Sequence, residues 1–112
     1  MTGWRFRTEP KYKNRPTKCH AGVMHASKRE AARCSYLHAL ERGGAVSSLK
    51  AHPQPRYELR VNGMLIGRYV ADFEYSQEGK RVVEDCKGVK TAVYRLKQLL
   101  MKACLGIEVV ES

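Results

Sequence analysis

A chain of 112 residues has room for one compact domain, and its 43% hydrophobic and 29% charged residues are ordinary for a globular protein. Twenty-one basic against eleven acidic residues leave a net charge of +10, which points to a polyanion. No basic amphipathic membrane helix and no apolar run near the ~20 residues that span a bilayer is present, so nucleic acid is favoured over a membrane.

Residues 1–18 are basic, contain Pro10 and Pro16, and show no clear period. They are expected to form an arm ahead of a single domain over 19–112. The opening "MTGWRFRTEPKYKNRPTK" lacks the apolar core of a signal peptide, so a soluble, cytoplasmic protein is expected. "CHAGVMHA", residues 19–26, fits a short hairpin turning at Ala21-Gly22.

"SKREAARCSYLHALERGG" predicts a helix. Ser27 is a good N-cap with Glu30 three residues later, the capping-box spacing, and Gly43-Gly44 ends the run. Cys34, Leu37 and Leu40 share a face on a 3.6-residue period, and Glu30 lies on that inward face as well. "AVSSLKAHPQP" predicts a short strand and then a loop with two prolines.

"RYELRVNGMLIGRYVADFEY" alternates as strands do, with a hairpin turn at Asn62-Gly63 and a second at Glu78-Gly79. The expected meander runs about 56–61, 64–75 and 80–87. Thr91 caps a second helix with Val93, Leu96, Leu100 and Ala103 as its apolar stripe, Gly106 ends it, and "IEVV" is a last short strand. The order is roughly αβββαβ, an α+β layer fold.

The four cysteines, at 19, 34, 86 and 104, contain no C-x-x-C pair. Reduced, buried thiols are therefore expected for Cys34, Cys86 and Cys104. Cys19, His20 and His25 fall close together but lack a fourth ligand nearby, so no zinc site is expected there.

The chemistry lies in "YVADFEYSQEGKRVVEDCKG". Alternation and the second turn bring Asp72 and Asp85 onto adjacent strands, unless the register slips by one residue. Two neighbouring carboxylates suit Mg²⁺, which takes one or two acids plus waters and substrate phosphate. Lys87, two residues after Asp85, is then placed to orient or help deprotonate a water, or to meet charge on a phosphate. Glu30 offers another acid through a water. The first three groups, Asp72, Asp85 and Lys87, fit metal-assisted phosphodiester hydrolysis. Each residue also has a plain structural role open to it: a capping-box glutamate for Glu30, an exposed ion pair for Asp85 and Lys87, a partner of Arg68 or Arg81 for Asp72. Glu84 is read as a structural acid.

"ADFEY", followed thirteen residues after Asp72 by "EDCKG", resembles the core signature of the PD-(D/E)XK nucleases. The wider frame, "KYKNRPT…GVMHASKREAARC…QPRYEL…YVADFEY…VVEDCKGVKTAVYRLKQLLMKACLGIEVVE", resembles a small phage-associated family of that superfamily. The resemblance implies a restriction-endonuclease-like core, a central mixed sheet flanked by helices, with the site where two strands splay. It implies Asp72 and Asp85 as metal acids, Lys87 as the motif lysine, Glu30 as the acid of the first core helix, and the Cys86 carbonyl as a further ligand. Mg²⁺ is the implied cofactor, with Mn²⁺ substituting. Ala71 departs from the motif, which has proline there. His25-Ala26 departs from the frame's aromatic position before "SK", which bears on the packing of the entry hairpin.

Such a site needs cations to hold a nucleic-acid backbone. Lys11, Lys13 and Arg15 in the arm, Lys28 opening the first helix, and Lys90, Thr91 and Arg95 near the motif lysine are the candidate phosphate contacts. The function expected is a Mg²⁺-dependent endodeoxyribonuclease in the cytoplasm of a host cell, acting in phage replication or recombination. Branched DNA, such as a Holliday junction, is a candidate substrate, and a homodimer would serve to cut two strands. The alternatives are a non-catalytic nucleic-acid-binding module and an accessory subunit of a replication complex.

Overall fold

A computed structural model describes residues 16–20, 22–86 and 90–112. Lys11, Lys13, Arg15 and Lys87 therefore lie outside the described residues. The chain divides into two compact units, Met1–Tyr36 and Leu37–Ser112.

In the first unit, β1 (Thr17–Lys18) pairs antiparallel with β2 (Met24–His25). The expected turn forms between them: Gly22 N–H donates to the Cys19 carbonyl at 2.9 Å and Cys19 N–H to Val23 at 3.0 Å. Helix α1 (Lys28–Arg42), whose residues from Leu37 on belong to the second unit, starts where its cap predicts, with Glu30 N–H donating to Ser27 Oγ at 3.1 Å. The acid half of the capping box does not close on Ser27, because the Glu30 carboxylate binds His25 Nδ1 instead, at 2.6 Å. Cys34 and Leu37 are fully buried on the helix's inward stripe.

The second unit holds β3 (Ser47–Lys50), β4 (Arg56–Val61), β5 (Met64–Val70), β6 (Phe73–Gln77), β7 (Lys80–Asp85), α2 (Ala92–Leu105) and β8 (Val110–Glu111). β4 and β5 form a two-stranded ribbon. A mixed sheet runs β3-β6-β7-β8, antiparallel except for the parallel β7–β8 pair. The architecture is α+β. Both hairpin turns fall where the sequence puts them. Asn62 and Gly63 have φ of 52° and 80°, and Glu78 and Gly79 have 53° and 77°, the two positive φ values of a type I′ turn.

Two expectations are corrected. The single strand over 64–75 is two strands, because the chain leaves one sheet for the other at Ala71-Asp72. Ala71 N–H is taken by the Pro55 carbonyl at 3.0 Å and Asp72 N–H by the Asp85 carboxylate at 3.0 Å, so neither serves a ladder. The expected apolar stripe of α2 also faces the wrong way. Val93 and Leu96 are 62% and 56% exposed and Ala103 is exposed, while Leu100 is half-buried. The buried face carries Tyr94 and Met101, one heptad apart.

These two side chains close a core with Tyr57 and Leu59 of β4, Tyr69 of β5, Ala71, and Val83 of β7. Thr91 caps α2 by accepting from Tyr94 N–H at 3.1 Å. Gly106 ends the helix at φ 68°, a left-handed conformation that glycine adopts without a Cβ penalty. No helix among the described residues is long and apolar enough to cross a membrane.

Candidate functional site

The β6–β7 register pairs Phe73 with Glu84 and Gln77 with Lys80, so one step beyond the ladder Asp72 comes level with Asp85. The two residues meet at the strand ends, where Asp72 N–H donates to the Asp85 carboxylate at 3.0 Å. Asp85 ends β7, is fully buried, and accepts from Asp72 N–H through Oδ1 and from Tyr69 Oη through Oδ2. Asp72, at the break between β5 and β6, accepts from Gln54 Nε2 through Oδ1 at 3.1 Å and from Cys86 N–H through Oδ2 at 2.8 Å. All four carboxylate oxygens thus face a donor, and an ionised carboxylate is the form that accepts at both oxygens. Carboxylate oxygens are the ligand type that a hard cation such as Mg²⁺ takes.

Tyr94, at the start of α2, lies beside this pair, its ring 6.4 Å from that of Tyr69. Burial, the Asp85 charge, and the hydrogen bond and charge of Glu111 push its phenol well above the usual value. Glu111 is level with Asp85 on β8. It binds Lys90 Nζ at 2.7 Å and accepts from Tyr94 Oη at 3.1 Å and Gln98 Nε2 at 3.2 Å. The Lys90 bond is the main reason that the Glu111 carboxyl titrates below the ordinary range.

Lys90, a candidate phosphate contact, therefore has an acid partner, although its side chain stays partly exposed. Thr91 is spent on the helix cap in part, Arg95 is exposed, and Lys28 is exposed at the head of α1. Glu84 is fully buried and accepts from Tyr75 Oη at 2.7 Å, the structural role expected for it.

Gln54 and Tyr69 were not legible as site residues. Gln54 comes from the proline loop, and Tyr69 reads only as an inward aromatic of a strand.

A second cluster lies in the first unit. Cys19 at the end of β1, His25 in β2 and Cys34 in α1 have ligand atoms within 4.8 Å of one another, and all three are buried. This sulfur and nitrogen donor set can hold a metal ion, and suits a soft one rather than Mg²⁺. Burial lowers the His25 pKa, but the hydrogen bonds to Glu30 and Cys19 outweigh it and leave the imidazole above its ordinary value. Burial, with the Cys19 contact adding to it, pushes the Cys34 thiol up to about 12. The sequence grouped His20 with Cys19 and His25. In the structure Cys34, not His20, lies with Cys19 and His25, and His20 is exposed, with its N–H donating to Ser35 Oγ at 2.9 Å.

Over residues 9–105 the sequence matches a family described as "Protein of unknown function (DUF1064)". The chain belongs to the DUF1064 family. No curated protein and no solved structure matches this DUF1064 chain at a significant level. The match spans α1, all of β3–β7 and α2, so it takes in both the acid pair and the Cys/His cluster.

Proposed function

We propose that this DUF1064 protein is a Mg²⁺-dependent endodeoxyribonuclease of the PD-(D/E)XK type. The observation that carries the proposal is the meeting of Asp72 and Asp85 across the β6–β7 register, in a chain whose next motif residue is Lys87. Asp72 and Asp85 hold the cation, with the Cys86 carbonyl beside them. A Mg²⁺ bound there supplies Lewis-acid stabilisation of charge on the scissile phosphate, and Mn²⁺ can replace it.

Lys87 orients the attacking water or meets the developing charge. Tyr69, Gln54 and the two backbone amides fix the orientation of the two carboxylates. Glu30, expected as a further acid of the set, has its carboxylate against His25, and we give it no step in the reaction.

The excess of 10 positive charges favours a polyanionic substrate. Exposed Lys28 and Arg95, with Lys11, Lys13 and Arg15 in the arm, are the backbone contacts of the proposal, and Thr91 and the half-engaged Lys90 belong to the same set. The restriction-endonuclease-like core, a branched-DNA substrate, a phage origin, action in a host cytoplasm and a homodimer belong to the same proposal.

The test is incubation of the protein with plasmid and four-way-junction DNA in Mg²⁺, Mn²⁺ or EDTA. Nicking that needs the metal supports the enzyme. Binding without cutting in any of the three assigns the chain to a nucleic-acid-binding module. Neither binding nor cutting leaves the role of an accessory subunit.

A further inference from the structure

We propose that Cys19, His25 and Cys34 form a structural zinc site that fastens the β1–β2 hairpin to helix α1. The donors are two sulfurs and one imidazole, the set that favours Zn²⁺ over the hard cation suited to the carboxylate pair. A tetrahedral Zn²⁺ with bonds of about 2.0–2.3 Å sets its ligand atoms roughly 3.4–3.8 Å apart. The three atoms already lie within 4.8 Å of one another, so a contraction of about 1 Å closes the site. A fourth position remains for a solvent molecule or another donor.

The second observation is Glu30. Metal-bound histidines characteristically give their other ring N–H to a carboxylate, which fixes the tautomer and turns the ligating nitrogen to the metal. His25 Nδ1 is 2.6 Å from Glu30 Oε2, and both side chains are buried. With Nδ1 held there, Nε2 is the ligating atom. This gives the capping-box glutamate, whose side chain leaves its own helix cap, a reason to do so.

The placement also answers a need of the fold. Among the described residues of the first unit, the buried apolar side chains are Cys19, Ala31 and Cys34. Those described residues alone offer little apolar surface for holding a hairpin of two-residue strands on a helix, and small units are characteristically stapled by a metal or a disulfide. The spacing Cys-x5-His-x8-Cys draws two ligands from the hairpin and one from the second turn of α1. Binding at such a site contributes directly to folding. The donor set differs from that of Asp72 and Asp85, so this proposal stands whether or not the chain cuts DNA.

The test is titration of the reduced, metal-free full-length protein with Co²⁺, followed by displacement with Zn²⁺. The expected result is one Co²⁺ per chain, with an intense sulfur-to-cobalt charge-transfer band and tetrahedral d–d bands that Zn²⁺ abolishes. Cys34→Ser roughly halves the sulfur band, since one thiolate of two remains. Cys104→Ser leaves it unchanged, and Glu30→Ala weakens affinity about 10- to 100-fold. Where Cys34→Ser does not fold, Cys19→Ser gives the same reading, and the parent titration decides by itself. A parent chain that shows no sulfur band at equimolar Co²⁺, or a folded Cys34→Ser variant that keeps the whole band, overturns the proposal.

Discussion

Asp72 donates its backbone N–H to the Asp85 carboxylate at 3.0 Å, and its own carboxylate accepts the N–H of Cys86, the residue after Asp85, at 2.8 Å. The two acids therefore lock the end of β7 to the break between β5 and β6. The lock holds both side chains at one point, and it makes them part of the fold as well as of the proposed site.

That double role separates two variants. Tyr69→Phe removes one donor from the buried Asp85 carboxylate and leaves the backbone bond, so it should cost about 1–3 kcal/mol of stability. Asp85→Asn replaces an acceptor-only group by one that must turn an NH₂ toward Tyr69 or Asp72 N–H. It should destabilise more than Tyr69→Phe, and it should abolish metal-dependent cutting. Urea unfolding of both proteins, read at equal slope, measures the difference; equal midpoints would mean that Asp85 carries no structural load beyond its bond to Tyr69.

The faces of α2 give a sharper contrast. Met101 is fully buried, so Met101→Ala should cost about 2–5 kcal/mol. Leu96→Lys, on the outward face, should stay within about 0.5 kcal/mol. Thermal or urea melts of the two variants check this. A large loss from Leu96→Lys would show that the outward face is covered in solution.

Glu74 gives a pH dependence. Burial raises its pKa, but hydrogen bonds from Tyr57 and Arg81 and the nearby Lys50 outweigh that and hold the carboxyl below its ordinary value. A group depressed on folding adds stability above its unfolded pKa and loses it as pH falls through the folded one. Stability should thus fall as pH drops below the ordinary carboxylate range, and Glu74→Gln should flatten that fall. Urea midpoints measured from neutral to acid pH read it out, and an unchanged slope in the variant would remove Glu74 as the cause.

DNA affinity should fall steeply with salt, by roughly one unit of log-log slope per phosphate contact. Fluorescence anisotropy across a salt series measures it. A flat response would take the basic surface out of the DNA-binding account.

Much of this was legible in the sequence, for identifiable reasons. Asn62-Gly63 and Glu78-Gly79 are local turn signals, and once the second turn is fixed, strand alternation alone brings Asp72 level with Asp85. The break at Ala71-Asp72 was hidden, because the groups that end the strand are the Pro55 carbonyl and the Asp85 carboxylate, both distant in sequence. The α2 face was misassigned by one residue because the helix carries apolar side chains on both sides: Val93, Leu96 and Leu99 outward, Tyr94 and Met101 inward. Spacing cannot choose between two apolar stripes, and tertiary packing chose the one with tyrosine. Cys34 was read correctly as a buried helix cysteine, yet its neighbours Cys19 and His25 come from a hairpin, so no compact ligand motif announces the cluster.

The most direct measurement compares the parent with Lys87→Met in two assays, DNA binding in Ca²⁺ and DNA cleavage in Mg²⁺. Lys87 is one of 21 basic residues, so binding should be nearly unchanged. Its proposed work lies in the transition state, where such a group contributes about 10²-fold or more in rate, so cleavage should almost vanish. A Lys87→Met protein that cuts at close to the parental rate would contradict the account, and "EDCKG" would then be an ordinary strand end.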